Sequence, residues 1–159
     1  MIEVTLAPYE CMLAAQVGIG RQLSAINKGL RMAFGLNGPG WNEHIEGAAG
    51  EMATAKALNV FWDGSVDTFK RPDVGQLQIR TRTRHDWDLI VRKGDADDEC
   101  FLLVTGTMPN FRVHGFLLGR DAKQETWLQS YAGRTPAYFV PKEHLLPLSA
   151  LPALTIAAA

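Results

Sequence analysis

The chain has 159 residues, 47% of them apolar and 21% charged, with a formal net charge of -1 at pH 7. That is enough chain for one domain with its own core, and a balance so near zero excludes a global basic field, so a polyanionic partner has to meet a local patch. Two distant cysteines, Cys11 and Cys100, exclude a disulfide framework and read as thiols in a reducing compartment.

Residues 8 to 29 read as a helix. Pro8 suits a first helical position, and Met12, Ile19, Leu23, Ile26 and Leu30 recur at three- and four-residue steps to form one apolar stripe. Gly18 and Gly20 weaken this helix and mark close packing against another element. Gly29 is its stop signal. A loop over residues 35 to 40 ends in Gly-Pro-Gly. Asn42 then caps a second helix over about 43 to 58, rich in small residues (Gly47, Ala48, Ala49, Gly50, Ala53, Ala55) that suit close approach to a sheet.

Beyond Phe61 the texture changes to strands and turns. Leu77 and Ile79 alternate with Gln76, Gln78 and Arg80, a period of two that sends Leu77 and Ile79 into the core. Residues 89 to 91 form a short apolar strand and 95 to 99 an acidic turn. Residues 100 to 105 and 111 to 118 read as two strands joined at Pro109-Asn110, 137 to 140 as another strand, and 141 to 146 as a short helical turn. The order predicts an α/β domain with a mixed central β-sheet flanked by helices. Within that single domain, residues 1–41 are an N-terminal helix and loop extension, 42–148 the core and 149–159 a tail.

The chemistry-bearing residues fall in the middle third. Glu51 lies among small residues of the second helix, where close packing desolvates a carboxylate. It therefore turns to solvent, pairs with an arginine or holds a cation. Asp73 follows Pro72, as turn aspartates do. Gln78 and Arg80 share one strand face, which Arg82 and Arg84 continue. Seven of the 16 basic residues (Lys70, Arg71, Arg80, Arg82, Arg84, Arg92 and Lys93) fall between positions 70 and 93, the footprint of a phosphate-contacting patch or of a surface balanced by Asp86, Asp88 and the acidic turn.

In order and spacing, Glu51 on a helix, Pro72-Asp73 and the strand Leu77-Gln78-Ile79-Arg80 resemble the core of the PD-(D/E)XK nucleases. The chain is also similar, from about residue 42 to 145, to small nuclease-like proteins of phage and bacterial genomes. The resemblance implies a restriction-endonuclease-like fold with an extra N-terminal helix, and hydrolysis of phosphodiester bonds, those of DNA foremost. It implies Glu51, Asp73, Gln78 and Arg80 as the catalytic set. Mg²⁺ or Mn²⁺ would be held by oxygens of Glu51, Asp73, the Gln78 side chain and the Ile79 carbonyl, with Lys70, Arg71, Arg82 and Arg84 on the nucleic acid.

Two departures from the family pattern qualify the activity. Gln78 in place of glutamate removes a negative charge. Arg80 in place of lysine keeps its proton at any ordinary pH, yet can hold a phosphate bidentately. A catalytically weakened nuclease-fold protein that binds nucleic acid or a protein partner is the alternative. The stripe on the first helix offers a homodimer interface. No apolar run approaches the roughly 18 residues of a membrane span, and no basic-then-apolar leader opens the chain, so no membrane partner and a cytoplasmic location (the host's, if phage-encoded) are expected.

Overall fold

Small side chains decide how the helices sit. The computed structural model describes residues 1–29, 40–66, 71–131 and 134–152. The first strand, β1 (Ile2–Thr5), precedes helix α1 (Pro8–Asn27), and α2 follows at Trp41–Leu58. Ala48, Ala49, Ala53 and Ala55 of α2 are buried, and a Cβ at Gly50 would collide with the Thr81 side chain. This face of α2 therefore lies directly on the sheet. Asn59, in the left-handed conformation, ends the helix.

Strands β2 (Leu77–Arg82), β4 (Cys100–Thr107), β5 (Asn110–Leu118) and β8 (Leu146–Pro147) join β1 in a mixed sheet ordered β1-β5-β4-β2, with β8 also on β5. Strand β2 runs parallel to β4, Ile79 opposite Leu102; the other pairings are antiparallel. Strands β3 (Leu89–Arg92), β6 (Leu128–Gln129) and β7 (Ala137–Val140) form a second, antiparallel sheet in the order β3-β7-β6. The predicted α/β architecture, a mixed sheet flanked by helices, is the one observed.

Period-two alternation in β4 feeds two cores. Leu102 and Val104 pack with α2, β1 and β5 residues, while Phe101 and Leu103 pack with Leu89, Val91 and Val140 of the second sheet. A strand covered on both faces reads as a nearly unbroken apolar run, as Phe101-Leu-Leu-Val104 does.

Helix α1 docks by the face opposite its apolar stripe. Glu10, Ala14, Gly18 and Gln22, four residues apart, are its buried positions. Met12, Ile19, Leu23 and Ile26 are exposed, and Leu30 lies outside the described residues. The reason is backbone proximity: an added Cβ at Gly18 would stand 2.5 Å from the Ile45 Cα and 2.7 Å from its nitrogen. Only small residues permit that approach, and polar ties then complete it, as in the 2.7 Å pair between Lys56 and Glu10.

Gly18→Ala should therefore destabilise the protein by about 1–3 kcal/mol through overpacking, although alanine is the better helix former by about 1 kcal/mol. Gly47→Ala, whose Cβ would meet nothing within 4 Å, should be neutral or stabilising. Urea denaturation of the two variants reads the opposite signs; a stabilised Gly18→Ala would refute the tight crossing.

Beyond this frame, residues 142–144 form the predicted helical turn, as a 3₁₀ segment. No helix among the described residues is long and apolar enough to cross a membrane.

Candidate functional site

The carboxylate centre is built where α1, α2 and the turn before β2 meet. Glu51 sits mid-helix on α2, 5% exposed. Arg21 of α1 grips it bidentately, Nη1 to Oε1 at 2.5 Å and Nη2 to Oε2 at 2.8 Å. Trp62 Nε1 donates to Oε2 at 3.1 Å, and Arg21 Nε donates to the Ser65 carbonyl at 2.9 Å. Burial opposes the charge on Arg21, but its hydrogen bonds and attraction to Glu51 outweigh that and raise its pKa. Of the three fates open to Glu51, the structure shows the arginine pair.

Asp73 occupies the turn that the sequence predicts. Its N–H donates to the Leu77 carbonyl at 2.8 Å, and its Oδ2 accepts the Ile79 N–H at 2.7 Å. Gly75, with φ of 58°, supplies the left-handed residue this turn requires. Burial pushes the Asp73 carboxyl up to about 7, and the Glu51 charge adds to the effect; the Ile79 hydrogen bond, Arg80 and Arg21 oppose it. The two carboxylates thus feel each other's charge. His44 also lies within reach of the Arg21 charge; its pKa is lowered by burial and then by Arg21.

Gln78 and Arg80 go elsewhere. Leu77, Ile79 and Thr81 face the helices, so the strand's period of two sends Gln78 and Arg80 to the opposite face of β2. There Gln78 Nε2 donates to Glu99 at 3.2 Å, and Arg80 pairs with Asp95 at 2.9 Å and lies 4.8 Å over the Phe101 ring. Glu51 thus lies on the helix side of β2 and Gln78 and Arg80 on the other, while Asp73 sits at the edge of β2, on the Ile79 N–H, and feels the charges of both Glu51 and Arg80. The Ile79 side chain is core, and its N–H is held by Asp73. With Arg21 and Trp62 on Glu51 and Ile79 on Asp73, few oxygens here remain open to a divalent cation. Among the described residues no group of three or more His, Cys, Asp or Glu side chains is placed to hold a metal ion.

The basic residues also separate. Arg71 pairs with Asp63 at 3.3 Å, far out in solvent. Arg84 pairs with Asp86 at 2.8 Å, both side chains exposed. Lys70 lies outside the described residues. Arg82 is different: its guanidinium stacks 4.6 Å over Trp87, lies 5.9 Å from the Phe139 ring and donates to the Asp88 carbonyl at 3.3 Å. Among the described residues it is in no ion pair. Burial lowers its pKa; Asp88 pulls the other way, and Arg134 and Arg92 push it down further. A hollow of about 550 Å³ opens here, bounded by the 82–88 segment and the second sheet.

A buried hydroxyl bridges two histidines nearby. Thr105 Oγ1 is 2.6 Å from His114 Nε2 and 2.9 Å from His85 Nδ1. Burial, then the charges of Lys142, the N-terminal ammonium, His85 and Arg112, hold the His114 pKa down at about 4. The unfolded chain takes up this proton near the ordinary value of 6.5, whereas the fold refuses it until about 4. His114 therefore contributes stability above pH 6.5 that is lost as pH falls to 4. His114→Gln should remove that acid-side loss in urea titrations between pH 7 and 4; an unaltered slope would contradict it.

No protein-family model, no curated protein and no solved structure matches this chain.

Sequence reasoning missed Arg21, Trp62 and Arg134, whereas the acidic turn it set against the arginines supplies Asp95 to Arg80 and Glu99 to Gln78. Only Arg21 carried a usable signal: it stands three residues from Gly18, beside the small and polar face of α1 rather than its apolar stripe.

Proposed function

We propose that this protein binds nucleic acid through the arginine face of β2 and the segment that follows it, on a layout similar to that of PD-(D/E)XK nucleases. The observation that carries this reading is Arg82, a half-buried cation stacked on Trp87 with no carboxylate partner among the described residues. A guanidinium so placed offers donors to a phosphate and a flat surface to a base. In this reading the buried Glu51–Arg21 pair is a structural cross-link and the site is catalytically weakened, because Gln78 and Arg80 are held by Glu99 and Asp95. DNA oligonucleotides should bind with an affinity that falls steeply with salt, and Arg82→Ala should weaken binding about tenfold. Binding untouched by Arg82→Ala would remove the basis of the proposal.

One observation favours hydrolysis as a second reading: burial foremost, and then the nearby Glu51 charge, raises the Asp73 carboxyl to about 7, a feature of functional sites. Plasmid and oligonucleotide cleavage in Mg²⁺ and in Mn²⁺, beside Asp73→Ala, tests it. Cleavage that needs the cation and Asp73 supports a nuclease; equal cleavage by the variant, or none by either, rejects it.

A second copy of the chain is proposed as a further partner. Tyr9, Met12, Leu13, Ile19, Leu23 and Ile26 form an α1 face that is 41–64% exposed and carries no charge, and antiparallel pairing about its centre would bury it. Leu13→Lys with Leu23→Lys should halve the mass seen by light scattering; a monomeric wild type ends this idea.

A further inference from the structure

The hollow beside Arg82 is closed by two kinds of wall. Arg82, Arg92 and Arg134 bring three guanidinium groups to it. Of the acidic residues here, Asp86 pairs with Arg84 at 2.8 Å, Asp88 lies 3.8 Å from Lys142 while its charge also favours that of Arg82, and Asp95 favours the charge of Arg92. Trp87, Tyr131 and Phe139 supply its aromatic surface. Tyr131 and Phe139 meet edge to face at 5.3 Å, and the Tyr131 hydroxyl is fixed by Gln129 at 2.6 Å. Trp87 and Tyr131 are 39% and 54% exposed; Arg82 and the solvent-exposed Arg84 lie 4.6 and 5.8 Å from the Trp87 ring centroid, so a stacked base would displace the outer guanidinium, that of Arg84.

The arginines repel one another, as the effects of Arg134 and Arg92 on Arg82 show, and exposed aromatic rings keep apolar surface in water. An anion relieves the first and a planar ring covers the second. The volume of about 550 Å³ lies within the roughly 300–1,000 Å³ of small-ligand pockets. A carboxylate or sulfate would satisfy the arginines alone and an apolar ring the aromatics alone. A phosphate joined to a heterocyclic base satisfies both.

We infer that this pocket takes a single unpaired nucleotide, its base stacked on Trp87 and its phosphate held by Arg82 and Arg134. This rests on the nucleic-acid reading above and narrows it to unpaired strands: a base within a duplex is already stacked on both sides and cannot enter. The Glu51–Asp73 centre plays no part.

The test uses the full chain in EDTA and follows the indole N–H resonance of Trp87. The probes are a nucleoside monophosphate, its nucleoside, inorganic phosphate, a short single strand and a duplex of the same length. The single strand should shift the Trp87 resonance saturably, and the monophosphate should do so at least tenfold better than the nucleoside or phosphate alone. Arg134 is exposed, so Arg134→Ala should leave the fold intact and weaken both by about tenfold; Trp87→Ala, whose binding is followed by titration calorimetry beside wild type, should weaken them similarly. A response to the strand without one to the monophosphate also supports the pocket and assigns its ligand to polymers.

Salt-dependent duplex binding that leaves Trp87 unmoved, with single strands equally silent there, overturns the pocket while the wider nucleic-acid reading stands. If no probe binds, both fall. Affinities unchanged in both Arg134→Ala and Trp87→Ala overturn the pocket alone.

Discussion

Arg21→Met is expected to cost about 3–5 kcal/mol of folding stability, the range for stripping one partner from a buried ion pair. The side chains of Arg21 and Glu51 are 19% and 7% exposed, so solvent cannot replace the guanidinium. After the substitution Glu51 would keep only the Trp62 N–H, at 3.1 Å, and would stand near Asp73, whose charge repels it. Glu51→Gln should cost less. Arg21 would still donate to the Ser65 carbonyl and would still feel Asp73 and Asp63, while glutamine could still accept from Trp62. The double variant should recover most of the loss, because a buried pair replaced by neutral groups is often nearly neutral overall.

A double-mutant cycle by urea denaturation reads these terms. Single-variant losses under 1 kcal/mol would show the pair to be far better solvated than its geometry indicates. Glu51→Gln should also lower the Asp73 pKa, since it removes the like charge that helps to raise it; carboxyl-carbon chemical shifts would register that change.

How far such features are readable from sequence depends on whether their causes are local. The second helix, predicted over about 43 to 58 and found at Trp41–Leu58, and the β4–β5 hairpin follow from short-range pattern and turn chemistry. Strand β1 offers one buried residue, Val4, in four, and β6 and β8 have two residues each; their pairing partners define them, not their own composition. For α1, the apolar period was legible but its direction was not. A stripe marks a face, and only the backbone approach at Gly18 reveals that the other face is the docked one.

The same limit governs the site. The strand phase correctly put Leu77 and Ile79 in the core and Gln78 with Arg80 on one face. Period two does not say which face the Glu51 helix covers, and that helix lies over Leu77 and Ile79. The small residues around Glu51 signalled desolvation, but its cation stands thirty residues upstream on another helix. No spacing rule connects the two.

The last prediction concerns Asp73, where the fold holds a proton that water would remove. Its carboxyl is raised from an ordinary 3.8 to about 7, by burial foremost. Between those values the folded chain binds more protons at this position than the unfolded chain. Stability from Asp73 is therefore fully present below about pH 4 and is lost as pH rises through 7. Asp73→Asn should leave stability nearly unchanged at pH 4 and raise it above pH 7 by about 1–3 kcal/mol, a discounted reading of one pKa unit per 1.36 kcal/mol. Asparagine can still accept the Ile79 N–H, so the turn before β2 should survive.

His114 slopes the other way, losing stability as pH falls from 6.5 to 4. The two effects oppose one another in wild type, and each variant uncovers the remaining one. Asp73→Asn should show stability rising with pH across this window, and His114→Gln should show it falling. Urea midpoints at closely spaced pH values distinguish these outcomes; parallel curves for the two variants would mean that at least one group keeps its ordinary pKa in the fold. A positive result carries a functional consequence. A carboxyl whose ionisation weakens its own fold is stabilised by any cation that binds its charged form. Mg²⁺ or Mn²⁺ acting at Asp73 would therefore raise stability most above pH 7, in wild type and not in Asp73→Asn, whether or not a phosphodiester is cut.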